Sequence, residues 1–354
     1  MSTVYYSPLK NNPAVSPLNK IRKLLVKAGA KDIYEKNDIV AVKVHFGELG
    51  NTAFIRPIYL RPVIELLKSC GTKPFLTDTN TLYTGMRTNA VDHIHVATMN
   101  GFGYSTLQTP VIIADGLRGE EMRETPIPGG QLLKNAKLAA GILNADALLV
   151  VTHFKGHDFA GFGGAIKNIS MGCAARGGKQ AMHSHSKPSV NPHKCTACGR
   201  CKSVCQVNAI QISHHAVITE ICTGCVRCVG ICPKGAISPK FDNSNENLQK
   251  SMTEYTAAVL AAFEKPVICL NILTSMVPSC DCMPGNDEPV LKDLGFMAST
   301  DPVALDRACI DLIKQNCKGV DPFAAISGTS GETQLSHAAA IGFGNNSYSL
   351  EKID

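Results

Sequence analysis

Residues 146–185, DALLVVTHFKGHDFAGFGGAIKNISMGCAARGGKQAMHSH, join an uninterrupted apolar run to a segment crowded with glycine, histidine and lysine. An apolar run without polar alternation is the pattern of a strand buried on both faces, as in a parallel sheet covered by helices. The same unit recurs on either side. "DIVAVKVHF" (38–46) reads as a strand, and "LRPVIELLKSCG" (60–71) as a helix with Val63, Leu66 and Leu67 at helical spacing, Pro62 in its first turn and Gly71 past its end. "KPFLTD" (73–78) and "PVIIAD" (110–115) read as strands, and "LLKNAKLAAGIL" (132–143) as a helix. Further on, "NENLQKSMTEYTAAVLAAFE" (245–264) reads as a helix, "KPVICLNIL" (265–273) as a buried strand, and "DPVALDRACIDLIKQNC" (301–317) as a helix capped by Asp301 with Pro302 at its first position. Strands alternating with helices predict an α/β fold with a mainly parallel sheet and helices on both faces.

One segment breaks this alternation. "KCTACGRCKSVCQVNAIQISHHAVITEICTGCVRCVGICPKGAIS" (194–238) holds eight of the fifteen cysteines, in two matching runs. The spacing C-x2-C-x2-C-x3-C is that of two-cluster bacterial ferredoxins, in which three thiolates wrap one cubane and the fourth ligates the other. It predicts one 4Fe-4S cluster on Cys195, Cys198, Cys201 and Cys232, and a second on Cys222, Cys225, Cys228 and Cys205. Zinc sites use four ligands, usually as two distant pairs, and do not match four cysteines in one short run. "VCQVNAIQI" and "ICPKGAISP" repeat one loop-turn-strand pattern, with Gln206 where the second repeat has Pro233. The expected organisation is an α/β domain over 1–190, a ferredoxin-like α+β module inserted at 191–240, and the rest of the α/β domain over 241–354. "SHSKPSVNPH" and "SPKFDNSN" would be its linkers.

Composition narrows the class. The chain has 354 residues, is 44% hydrophobic and carries a net charge of +6. Six basic residues (Lys194, Arg200, Lys202, Arg227, Lys234, Lys240) face one acid, Glu220, between 191 and 240. Two oxidised cubanes, each about −2 with its thiolates, would offset roughly four of these charges. No basic helix or aromatic-and-basic stripe points to nucleic acid. The start, MSTVYYSPLKNNP, has no signal-peptide pattern, and no apolar run approaches the roughly 18 to 20 residues of a membrane span. The expectation is a cytoplasmic protein of a reducing, anaerobic cell.

In open α/β sheets ligands bind beyond the carboxyl ends of the strands. The segment after residue 154 is therefore the candidate site, with His153, His157, Lys167 and His183 for proton transfer, nucleophilic or metal chemistry. Gly161, Gly163, Gly164 and Arg56 are candidates for holding a cofactor, since a helix opening near Gly164 would offer N–H groups to an anion. The pattern lacks the third glycine of G-x-G-x-x-G. Cys280 and Cys282, in "PSCDCMPGN", form a pair suited to an extra metal or to dithiol–disulfide exchange. Cys269, Cys309 and Cys317 read as core residues, Cys70 ends a helix, and Cys173 lies in the glycine-rich loop.

"VKVHFGELGN" (42–51) with Arg56, "FLTDTNTLYTGMR" (75–87), "GGAIKNISMGCAARGGKQAMH" (163–183), "CDCMPGN" (280–286) and "ASTDPVALD" (298–306) resemble the family known as domain of unknown function 362, in its ferredoxin-bearing form. The resemblance implies an iron–sulfur protein and no particular reaction. A remoter likeness is to nickel-pincer lactate racemases, in which a histidine, a cofactor-carrying lysine and a nickel-binding histidine follow in the order of His157, Lys167 and His183. Thr52 and Arg56 echo their phosphate-binding turn, and "TNTLYTGMR" lacks their other catalytic histidine. The leading expectation is an iron–sulfur electron-transfer protein, an oxidoreductase or redox component, that passes electrons through two 4Fe-4S clusters between a partner protein and a site in the α/β domain. The α/β site leaves room for an additional metal or a nucleotide-type cofactor, and the small-molecule substrate is unknown. The alternatives are a non-catalytic electron-donating accessory or maturation subunit, and a pincer-type racemase or isomerase.

Overall fold

The computed structural model describes residues 1–9, 15–83, 85–183, 187–205, 207–222, 224, 227–238 and 244–353. Its main sheet has eight strands: β1 (Ser2–Pro8), β2 (Ile39–Val44), β3 (Lys73–Asp78), β4 (Val111–Ile113), β5 (Ala147–His153), β6 (Ile268–Leu273), β7 (Gly295–Ser299) and β8 (Tyr348–Lys352). They lie in the order β8-β1-β7-β6-β5-β2-β3-β4. The pairs from β6 through β5, β2 and β3 to β4 are parallel, as is β1 with β8, and only β7 runs antiparallel to both its neighbours. The carboxyl ends of β2, β3, β5 and β6 therefore open along one edge.

The apolar runs have a direct packing cause. Side chains alternate between the faces of a strand, so β5 sends Leu148 and Val150 to one core and Ala147, Leu149 and Val151 to another. The first core receives α4 (Ala165–Cys173), α6 (Asn245–Ala261) and α7 (Pro302–Asn316). The second receives α1 (Pro17–Lys27), α2 (Arg61–Ser69) and α3 (Ala90–Met99). Each fully buried Leu, Val or Ile contributes about 2 kcal/mol of transfer free energy, which makes the double-faced burial the main stabilising term of the fold. Asp301 caps α7 as the sequence suggests, accepting from the backbone N–H of Val303 and Ala304 at 2.9 and 3.1 Å.

One expected helix is a strand. Asn135–Ala139 pairs antiparallel with Met122–Pro126, and only Ala140–Leu143 turns helical. The hairpin buries Ala136 and Leu138, and the backbone N–H of Lys137 donates to the Tyr255 hydroxyl of α6 at 3.3 Å. These contacts outweigh the helix propensity of an alanine-rich run.

The cysteine-rich segment gathers around a small apolar group of its own: Cys201, Ile210, Ala216, Ile218, Cys228 and Ile237. Ile210–Ile212 pairs with Ala216–Ile218, and Ser189–Val190 pairs with Ile237–Ser238. The segment thus begins and ends at adjacent points. Cys225, Gln206, His185 and parts of both expected linkers lie outside the described residues.

Candidate functional site

The loop after β6 carries Cys280, Asp281 and Cys282 over the carboxyl end of β5. Buried Asp281 accepts from His153 Nδ1 at 2.9 Å and Lys155 Nζ at 3.3 Å. The other ring nitrogen of His153 faces the Thr274 carbonyl at 2.9 Å. Burial alone would raise the Asp281 carboxyl, but His153 and Lys155 hold it well below the usual carboxylate range. His153, a sequence candidate for chemistry, thus has both nitrogens committed to fixing this loop. The backbone N–H of Met283 donates to the Cys280 carbonyl at 3.0 Å and closes a turn across the two cysteines.

Three other sequence candidates converge on that turn. Lys167 Nζ, from α4, lies 3.6 Å from the buried Cys280 Sγ, and the Cys282 N–H lies 3.5 Å from the same sulfur. His157 Nδ1 accepts from the N–H of Phe159 and of Ala160, each at 3.2 Å, so the neutral ring carries its proton on Nε2. The Cys282 thiol donates to Cys280, and against the burial cost Lys167 and His157 add to that donation. Together they hold Cys280 well below the ordinary thiol range. Burial pulls Lys167 down, yet the charges of Cys280, Cys282 and Asp281 together outweigh it and raise the amine. His183 closes α5 (Arg176–His183); burial, with His157 and Lys167 nearby, lowers it to about 3.

The glycines divide. The first two N–H groups of α4, at Ala165 and Ile166, are taken by the Asp306 carboxylate at 2.7 and 2.9 Å. The helix start expected to be open to an anion is therefore filled from within, and burial pushes Asp306 up to about 6. A Cβ on Gly164 would come within 2.3 Å of Asp306, and one on Gly161, at φ +76°, within 2.3 Å of the Gly331 backbone. Both glycines allow close chain packing. Gly163 alone borders the site lysines, with Lys167 Cδ 3.4 Å and Lys155 Nζ 3.5 Å from the place of a Cβ. Arg56 is exposed just before the Pro57–Leu60 turn, and Thr52 hydrogen-bonds Asn286.

A second group of charges lies at the ends of β2 and β3. Lys43 Nζ pairs with Asp78 at 3.0 Å and donates to Asn168 at 2.7 Å. Arg87 reaches Glu48 at 3.3 Å, Asp78 at 3.7 Å and His45 Nε2 at 3.2 Å, and donates to the Tyr83 hydroxyl. All of these except Tyr83, His45 and Asn168 are almost wholly buried. Burial would raise the Asp78 carboxyl, but Lys43, His45, His93 and Arg87 hold it far down; burial lowers His93 to about 3. Nearby, Asp115 Oδ1 accepts from the Asn80 backbone and side-chain N–H groups, each at 2.9 Å, while Oδ2 has no hydrogen bond among the described residues. Burial pushes Asp115 up to about 6 and pulls Lys179 down to about 8. None of these residues was singled out from the sequence. Lys43, His45, Glu48, Asp78 and Asp115 were visible as polar positions closing apolar strands, in "VKVHFGE", "FLTD" and "IIAD", and Arg87 as the last residue of "FLTDTNTLYTGMR".

The cysteine-rich segment presents a cavity lined by Cys195, Cys198, Cys201 and Cys232, three cysteines of the first run and one of the second. It encloses about 330 Å³, its open mouth included. Four sulfurs accept backbone N–H groups: Cys195 from Ala216 at 3.3 Å, Cys205 from Ala209 at 3.2 Å, Cys222 from Gly224 at 3.4 Å and Cys232 from Ala236 at 3.2 Å. Burial raises the Cys201 thiol, with Cys195 and Cys232 close enough to add to it. The segment touches the α/β part through Arg176, the first residue of α5. A Cβ on Gly230 would come within 2.6 Å of its Nη1, and the Cys228, Asp115 and Glu120 charges all act on it. Arg227 adds an ion pair to Glu120 at 3.4 Å.

A family described as Domain of unknown function (DUF362) matches residues 40–311. The chain belongs to this family. The DUF362 match begins in β2 and ends in α7, so it takes in every strand end described above and the cysteine-rich segment. No curated protein matches the chain. Among solved structures, a Thermotoga maritima protein from a structural genomics consortium shares 13% identity over 75% of this chain and 52% of its own, with a TM-score of 0.39. The lactate racemase apoprotein from Thermoanaerobacterium thermosaccharolyticum shares 13% identity over 77% of this chain and 51% of its own, with a TM-score of 0.37. The chain spans about half the length of each. No helix among the described residues is long and apolar enough to cross a membrane.

Proposed function

We propose that this DUF362 protein is an iron–sulfur redox protein, with one 4Fe-4S cluster on Cys195, Cys198, Cys201 and Cys232 and a second on Cys205, Cys222, Cys225 and Cys228. The observation that carries the reading is the cavity lined by Cys232 together with three cysteines of the other run. That is the ligand exchange expected when two interleaved runs share two cubanes. The backbone N–H groups aimed at four of the sulfurs suit thiolate ligands, whose charge such donors stabilise and whose cluster potential they tune. Bound clusters would supply one-electron transfer. The chain's own residues would bind a redox partner protein and join the clusters to the Cys280 site, which is one short helix away through Arg176 and α5.

The test is iron content and electron paramagnetic resonance on protein purified without oxygen. About eight irons per chain, with two reducible cubane signals, are expected; zinc in place of iron would overturn the reading. A second reading, pincer-type isomerisation, draws on the convergence of His157, Lys167 and His183. It requires nickel in stoichiometric amount, which the same metal analysis measures.

A further inference from the structure

We propose that Cys280 and Cys282 are a redox-active dithiol that exchanges two electrons with the two clusters. The inference rests on the iron–sulfur reading above and assigns chemistry to the α/β site it serves.

Three observations on the page carry it. The turn closed from Met283 to Cys280 holds the two cysteines two residues apart, where their Cα atoms stand at most about 7 Å from each other. That reach overlaps the roughly 4.4–6.8 Å a disulfide spans. Cys280 is buried against Lys167 Nζ at 3.6 Å and receives the Cys282 N–H, whereas Cys282 is partly exposed. The pair is therefore asymmetric, with an anion-stabilised sulfur beside one that solvent reaches.

The third observation is the path. Arg176 touches Gly230 and feels the Cys228 charge at the first residue of α5, and His183, the last residue of α5, lies beside His157 and Lys167. Seven steps of about 1.5 Å place the two ends roughly 10 Å apart. One helix thus separates the second cysteine run from the dithiol.

The stoichiometry matches as well. A dithiol–disulfide couple moves two electrons, and each cubane moves one. In the oxidative direction the Cys280–Cys282 S–S bond forms and the Cys282 S–H bond breaks. The proton leaves to solvent at Cys282, and one electron passes to each oxidised cluster. In the reductive direction each reduced cluster returns one electron, the S–S bond opens, Cys282 regains its proton and Cys280 is left as the thiolate beside Lys167. The lowering of the Cys280 thiol by the Cys282 thiol, Lys167 and His157 agrees with this resting form.

The test is alkylation under unfolding conditions after anaerobic poising of the intact protein at a series of potentials, with the clusters followed by electron paramagnetic resonance in the same samples. The peptide carrying Cys269, Cys280 and Cys282 should take three labels when the protein is reduced. It should take one, on the strand-buried Cys269, when the protein is oxidised. Cys282→Ser should keep its iron and both cluster signals while the two-label change disappears. If Cys280 and Cys282 stay fully labelled while the clusters titrate, the dithiol proposal fails and the iron–sulfur reading survives. If the label change occurs in protein without iron, the iron–sulfur reading fails and the proposal with it. A metal ion bound in stoichiometric amount and lost in Cys282→Ser would also overturn the proposal, in favour of a metal site. Should Cys282→Ser not fold, the wild-type labelling series decides alone.

Discussion

The cysteine-rich segment and the strand-end site are opposite ways of assembling reactive groups. In the first, the cysteines all fall between residues 195 and 232, and their spacing alone names the grouping. In the second, Lys43, Asp78, the pair Lys167 and His183, and Cys280 come from four separate stretches and meet because parallel strands end along one edge. The first region has a small apolar group of its own, and the second lies between two large cores. A local site can therefore be perturbed without the sheet, whereas the distributed site shares its energetics with the whole fold.

This contrast can be broken most directly at Cys232. Cys232→Ser should abolish the same cluster signal as Cys201→Ser and lower the iron content by about half. Cys205→Ser should abolish the other signal. Spectra in which Cys232→Ser matches Cys228→Ser would mean that each run holds its own metal, and the cross-run grouping would be lost. In all these variants the thermal unfolding of the main sheet should remain near that of the parent.

Lys43→Ala sharpens the other side. Its ammonium is fully buried between Asp78 and Asn168, and removing one partner of a buried pair leaves an uncompensated charge, at a cost of about 3–5 kcal/mol. Denaturant unfolding should show that loss with iron content unchanged. A loss under about 1 kcal/mol would show that Arg87 and His93 suffice to hold Asp78.

The smallest expected effect is a pH dependence at Asp115. Its folded-state carboxyl is raised to about 6 by burial, so the fold favours the protonated form. The stability it contributes is complete below about pH 4 and is lost as pH rises to about 6, by up to about 3 kcal/mol. Asp115→Asn, measured by denaturant unfolding across that interval, should show a smaller decline than the parent, the remainder belonging to Asp306. A decline equal in variant and parent would assign the pH dependence to Asp306, which burial raises in the same way.

Much of the architecture was legible because apolar continuity and capping are local properties. "KPFLTD" reproduces β3 residue for residue, and Asp301 with Pro302 marks the start of α7. The run 132–143 was misread because its pairing with Met122–Pro126 and its contact with Tyr255 are long-range. The same holds for function. His157, Lys167 and His183 stood out because they cluster in sequence after one strand, whereas Lys43, Asp78 and Asp115 looked like ordinary strand ends and Arg87 like an ordinary loop residue. Gly164 shows the converse error: it reads as an opening for an anion and is filled by Asp306, whose Oδ1 lies 2.7 Å from the Ala165 nitrogen.

By itself the sequence determined the α/β alternation, the two cysteine runs and the loop in which His157, Lys167 and His183 lie, since each follows from residue type and short-range spacing. Tertiary structure alone decided that Cys280 sits against Lys167 and His157, that His153 is spent on Asp281, and that Arg176 joins the two regions. Burial and charge compensation depend on which distant groups the sheet brings within a few ångströms, and no local pattern carries that.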